Sequence, residues 1–85
     1  MYEIILEEPA KRFIKKLNRR EQLRVIDKLE QLRKNPKLGK PLVGELTGFW
    51  SLRIGDYRAV YQIRHNELLI LVLKAGHRKN IYDKF

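Results

Sequence analysis

The segment FWSLRIGDYRAVYQIRHNELLILVLKAGHRKNIYDKF, residues 49–85, restricts the fold of this chain more than any other part. It contains three strand-like runs, at about 49–54, 57–64 and 67–74, rich in β-branched and aromatic residues. Only Gly55-Asp56 separates the first two. A two-residue loop with glycine at its first central position suits the type II′ turn, whose twist matches that of the flanking strands. The two runs are thereby expected to pair antiparallel, with Ile54 opposite Tyr57 and Arg53 opposite Arg58. Like charges facing each other across strands destabilise a sheet. An arrangement that keeps them there calls for an anion.

Alternation along these two strands sends Trp50, Leu52, Ile54, Tyr57, Ala59, Tyr61 and Ile63 to one face, and Ser51, Arg53, Arg58, Val60, Gln62 and Arg64 to the other. The third run is apolar on both sides, as expected of a buried central strand. His65-Asn66 reads as the turn before it. Gly76 is expected to break the strand, with a last helical turn over Ile81–Phe85.

The N-terminal half reads as one strand and two helices. Tyr2-Glu3-Ile4-Ile5-Leu6 is strand-like, and Pro9 fits a first helical position, where its missing N–H costs nothing. Ala10, Phe13, Ile14 and Leu17 then form one apolar stripe. Asn18-Arg19 interrupts it. A second helix is expected from about Arg20 to Lys34, with Val25, Ile26, Leu29 and Leu32 facing inward. Asn35-Pro36 stops it, and residues 36–48 read as a connecting loop punctuated by Pro and Gly. The predicted class is α+β in the order β-α-α-β-β-β. Two helices pack on one face of a small, mainly antiparallel sheet, and residues 1–85 form a single domain.

Composition narrows the partners. Eighty-five residues with 44% apolar content suffice for one hydrophobic core. There is no cysteine, and only two histidines, His65 and His77, so neither a disulfide framework nor a metal or other cofactor is expected. The acidic start MYEIILEEPA lacks the positive charge of a signal peptide, and no apolar run approaches a membrane span. A soluble cytoplasmic protein is the expectation. The net charge of +9 implies a polyanionic partner, with RNA, DNA or an anionic membrane as candidates.

Arg53, Arg58, Arg78 and Lys79 together would make a basic concavity, since guanidinium forks bind phosphate bidentately and stay charged. Were the phosphate in RNA, the neighbouring 2′-OH would be an internal nucleophile that DNA lacks. His77, Lys79 and Tyr82 are candidates for moving protons or orienting groups. Each has a plainer reading as well: Tyr82 as a core residue with a tethered hydroxyl, and His77 as a solvated loop histidine. Trp50, Tyr57 and Tyr61 read as core. Spacing alone supports a phosphate-binding basic domain and leaves catalysis open.

The run LTGFWSLRIGDYRAVYQI, followed by GHRKNIY, resembles the RelE toxins of the RelE/ParE toxin–antitoxin superfamily, and the resemblance covers nearly the whole chain. It implies a metal-independent, ribosome-dependent endoribonuclease that cleaves mRNA in the ribosomal A site. It also implies a RelB-like antitoxin as partner, with no role for a membrane. By motif match the catalytic roles fall on Arg53, Arg58, Arg78 and Tyr82, with His77 as a candidate acid or base and Lys79, Ser51 and Lys74 as further RNA contacts. The best-studied members carry two lysines where this chain has Ser51 and Arg53, and arginine is a poor general base. A non-catalytic nucleic-acid-binding module and a ParE-like gyrase inhibitor are the alternatives.

Overall fold

The hairpin forms around Gly55, which has φ +60°, while Asp56 keeps a negative φ, the signature of a type II′ turn. The computed structural model describes residues 1–79 and Ile81. Among these the chain order is β1 (Glu3–Leu6), α1 (Glu8–Lys15), α2 (Arg19–Glu30), β2 (Lys40–Pro41), β3 (Trp50–Ile54), β4 (Tyr57–Arg64) and β5 (Leu69–His77). The strands form one sheet in the order β1-β5-β4-β3-β2. Only the β1–β5 pair is parallel, so the expected mainly antiparallel α+β architecture is what the chain adopts.

Local chemistry explains the helices. Pro9 lies in the first turn of α1. The Asn18 side chain caps α2 by accepting from the Glu21 N–H at 2.9 Å, which satisfies one of the free amides of a helix start. Gln22 Nε2 donates to the Ile14 carbonyl at 3.0 Å, tying the second helix to the first. Ala10, Ile14, Val25, Leu29 and Leu32 then bury against Leu52, Ile54, Ala59, Tyr61, Ile70 and Val72 of the sheet. Trp50, Tyr57 and Ile63 pack on the rim of that core, so the apolar alternation predicted for β3 and β4 places all seven residues on the helix side.

Several expectations need correction. Ile26 does not face inward; it is 42% exposed, because the buried stripe runs through Val25, Leu29 and Leu32 and leaves position 26 off its edge. The helix ends at Glu30 and continues as one tighter turn over Gln31–Arg33. The segment 36–48 is not wholly loop: Lys40 and Pro41 pair with Ser51 and Trp50 as a fifth strand. Gly76 does not break β5 but pairs with Arg58 inside the ladder. β5 does lie between β1 and β4, yet its second face is only partly covered, with Leu69, Leu71 and Leu73 half-buried. Of the last turn expected over Ile81–Phe85, Ile81 is buried and the rest lies outside the described residues.

One irregularity matters for function. Val60 pairs with Lys74, but Tyr61 pairs with Val72, so Leu73 is an extra residue in β5. A one-residue bulge reverses the facing of everything beyond it. Lys74 is thereby turned away from the helix-side core, and His77 is turned toward it.

Candidate functional site

Arg53 and Arg58 stand directly opposite each other on β3 and β4, on the sheet face away from the helices. Beneath them Arg58 Nη1 donates to Ser51 Oγ at 3.4 Å, and Ser51 itself is only 4% exposed. The residues around Arg58 are small: Gly76 lies across from it on β5, and a Cβ at Gly76 would sit 3.4 Å from Ile81 Cδ1. Val60, wholly buried but outside the helix-side core, lies next to Ser51 and Lys74 in the ladder. This face thus has a small apolar floor carrying a basic rim.

Two lysines complete the rim. A depression of about 260 Å³ is lined by Lys28, Leu38, Gly39, Lys40, Ser51, Leu52, Arg53 and Arg58. Lys28 comes from α2 and reaches around the β3 edge, while Lys40 is delivered by β2. On the hairpin side, Arg24, Asp27, Lys28, Arg53, Ile54 and Gly55 line a further cleft. Sequence reasoning missed Arg24, Lys28 and Lys40. The signal was the i, i+4 spacing of Arg24 and Lys28, legible only once β3 was known to lie beside them.

The strap that carries Lys40 is held by Tyr61. Its hydroxyl donates to the Pro36 carbonyl at 2.7 Å and accepts from the Gly39 N–H at 3.0 Å. Burial pushes the Tyr61 phenol above the ordinary tyrosine range, and the Gly39 hydrogen bond counters that in part. Gly39 has no room for a side chain: a Cβ would collide with the Ser51 carbonyl and lie 2.8 Å from the Tyr61 hydroxyl.

The remaining predicted residues divide between two places. The Arg78 N–H donates to the Asp56 carbonyl at 3.0 Å, which fastens the end of β5 to the hairpin tip. Asp56, His77, Arg78 and Lys79 border an open depression of about 690 Å³ there. His77 pairs with Tyr57 and makes edge contacts to the rings of Phe13 and Tyr57, with centroids 5.7 and 5.3 Å apart. It therefore lies on the helix side of the sheet, across from the arginine face. Lys74 lies on the arginine face, opposite Val60. Tyr82 is outside the described residues.

Among the described residues the ion pairs are Arg24–Glu21, Arg33–Glu30 and Arg64–Glu67. None involves Arg53, Arg58, Arg78, Lys28 or Lys40. Asp27 and Asp56 line the neighbouring clefts but pair with none of these cations. A cluster in which positive charge predominates is electrostatically costly and suited to a polyvalent anion such as a phosphodiester chain. No group of three or more His, Cys, Asp or Glu among the described residues is placed to hold a metal ion. No described helix is long and apolar enough to cross a membrane.

This fold is shared with bacterial toxins. The isolated RelE toxin of E. coli aligns over 99% of this chain and 94% of its own, with a TM-score of 0.77 at 20% identity. A chain of the RelBE2 toxin–antitoxin complex of Mycobacterium tuberculosis aligns more closely, with a TM-score of 0.83 and 33% identity over 91% of this chain and 98% of that one. Toxin RelG of Mycobacterium tuberculosis is 40% identical over 48 residues, 56% of this chain. That match spans about half the relative's length, 55%. Finally, residues 4–82 match the ParE toxins of type II toxin–antitoxin systems, parDE. The chain belongs to that family, and so to the RelE/ParE superfamily of toxins.

Proposed function

We propose that this toxin is an endoribonuclease, that residues 1–85 form one toxin domain, and that it cleaves mRNA in the ribosomal A site of the cytoplasm until a RelB-like antitoxin neutralises it. The observation that carries this reading is the opposed pair Arg53 and Arg58 over Ser51, ringed by Lys28 and Lys40. In the proposed reaction the ribose 2′-oxygen attacks the adjacent phosphorus and the bond to the 5′-oxygen breaks. A 2′,3′-cyclic phosphate and a 5′-hydroxyl result; the proton lost by the 2′-OH is balanced by one gained at the leaving oxygen. Arg58 and Arg78 hold the phosphate and the charge that builds on it, and Arg53 assists. Such fixed donors act most strongly on charge that develops in the transition state. Ser51, Lys74 and Lys79 contribute further RNA contacts. Tyr82 is assigned the nucleobase contact and a part in proton transfer. His77, held among Phe13 and Tyr57 next to Arg78, enters this reading as a positioning residue for Arg78.

The test is translation of a defined mRNA on purified ribosomes, with cuts mapped for the wild type, Arg58→Ala and Arg78→Ala. Codon-spaced cuts that require ribosomes and fall about a hundredfold or more in either variant would support the proposal. Intact message despite tight RNA binding would instead indicate a non-catalytic binding module. The match to ParE toxins favours a second reading, inhibition of DNA gyrase. Intact message together with loss of supercoiling activity would establish that one.

A further inference from the structure

Asp56 is out of character with its surroundings. It is an exposed carboxylate at the hairpin tip, bordering the 690 Å³ depression with His77, Arg78 and Lys79. Its backbone carbonyl is occupied by the Arg78 N–H. Its side chain takes part in none of the ion pairs or hydrogen bonds among the described residues. It lines the same depression as Arg78 and Lys79 but is locked to neither, so its oxygens are open to a ligand. In a cleft meant only for phosphate it would be repulsive. The depression is of the size that takes a small aromatic ligand, and it lies two residues along the chain from Arg58.

We propose that Asp56 reads a nucleobase of the substrate, and that it selects guanine. The inference rests on the endoribonuclease reading and extends it to specificity. A phosphate held by Arg78, which borders the depression together with Asp56, would leave the neighbouring base near the hairpin tip. Unpaired bases in RNA are read through hydrogen bonds on their Watson–Crick edges. An ionised carboxylate is an acceptor only, with two oxygens in a fork. Guanine alone presents two adjacent donors, N1–H and N2–H, along that edge. Adenine and cytosine offer one exocyclic amine each beside an acceptor, and uracil offers one N–H between two carbonyl oxygens that the carboxylate would repel. Arg78 and Lys79 at the rim can meet the adjoining phosphate or the guanine O6.

Asn is as well suited as Asp to this turn position, so Asp56→Asn alters the carboxylate without altering the hairpin. Ribosomes programmed with mRNAs carrying each base in turn at the three A-site positions provide the assay, with wild type, Asp56→Asn and Arg58→Ala compared. The wild type is expected to prefer guanine at one position about tenfold or more, the discrimination given by a good bidentate contact. Asp56→Asn should retain cutting within a few-fold on its best codon, lose that preference and gain on adenine, which an amide reads with one donor and one acceptor. An unchanged base profile in Asp56→Asn, or a uniform fall at every codon, would overturn the proposal. Cutting by the wild type that is lost in Arg58→Ala while the Asp56→Asn profile stays unchanged overturns this inference alone. Absence of cutting by the wild type overturns the nuclease reading and this inference with it.

Discussion

Tyr61 shows how a single side chain can serve core and site together. Its ring is wholly buried and stacks on Trp50 with centroids 6.2 Å apart, while its hydroxyl bridges Pro36 and Gly39. Tyr61→Phe leaves a partly buried N–H and carbonyl without that partner, a loss of about 1–3 kcal/mol. Urea denaturation should register it, and RNA affinity should fall because Lys40 is carried on the released strap. The phenol also predicts a pH dependence. Its folded-state value is raised by burial, so below about pH 10, the ordinary tyrosine value, both states are protonated and the full contribution is present. Above that pH the unfolded state loses its proton first, and stability declines as pH rises through the folded value. The stability gap between wild type and Tyr61→Phe should therefore narrow above about pH 10; a gap constant to higher pH would contradict the assignment.

At the scale of elements, the β3–β4 hairpin and the β5 bulge set what faces what. Gly55 sits at φ +60° with the Arg24 guanidinium packed where a Cβ would be. Gly55→Ala should therefore cost about 1–2 kcal/mol for the left-handed backbone alone, with Arg24 displaced from the β3 edge as well. Thermal or urea unfolding checks the first effect. Failure to destabilise would mean that the turn relaxes to another type, and the Arg53–Arg58 register would then be expected to change. The hairpin was legible in the sequence because Gly-Asp between two alternating runs has few other solutions. The bulge was not. Nothing in Leu-Leu-Ile-Leu-Val-Leu marks which leucine goes unpaired, since every candidate is apolar and only the partner strand selects one. His77 read as a loop residue because Gly76 was expected to end the strand; with β5 running on to His77 and the bulge reversing its facing, it packs with Phe13 and Tyr57 on the helix side.

For the whole molecule, the net charge of +9 becomes a located feature once α2, β2 and the hairpin are assembled. Lys28 and Lys40 then belong to the same cleft as Arg53 and Arg58. Removing one cation that meets a phosphate should reduce the salt dependence of single-strand binding by about 0.7 in log–log slope. Lys28→Ala and Lys40→Ala, tested with a 2′-O-methyl RNA that cannot be cut, should each lower the slope by roughly that amount. Lys11→Ala, on the outer face of α1, should change it less. Equal effects from all three would mean that the charge acts diffusely rather than through the cleft. Much of this organisation was present in the sequence: the helix stripes, the hairpin register, and hence the opposed arginines, because these rest on local periodicity and turn chemistry. The sequence by itself determined which residues could be core and that Arg53 and Arg58 would be opposed across the hairpin. Only the tertiary structure decided which cations stand beside them, since Lys28, Lys40 and Arg53 are distant in the chain and become neighbours through packing across a sheet edge. It likewise placed Asp56 and His77 relative to Arg78, because that placement depends on one unpaired residue in a strand and on the pairing that skips it.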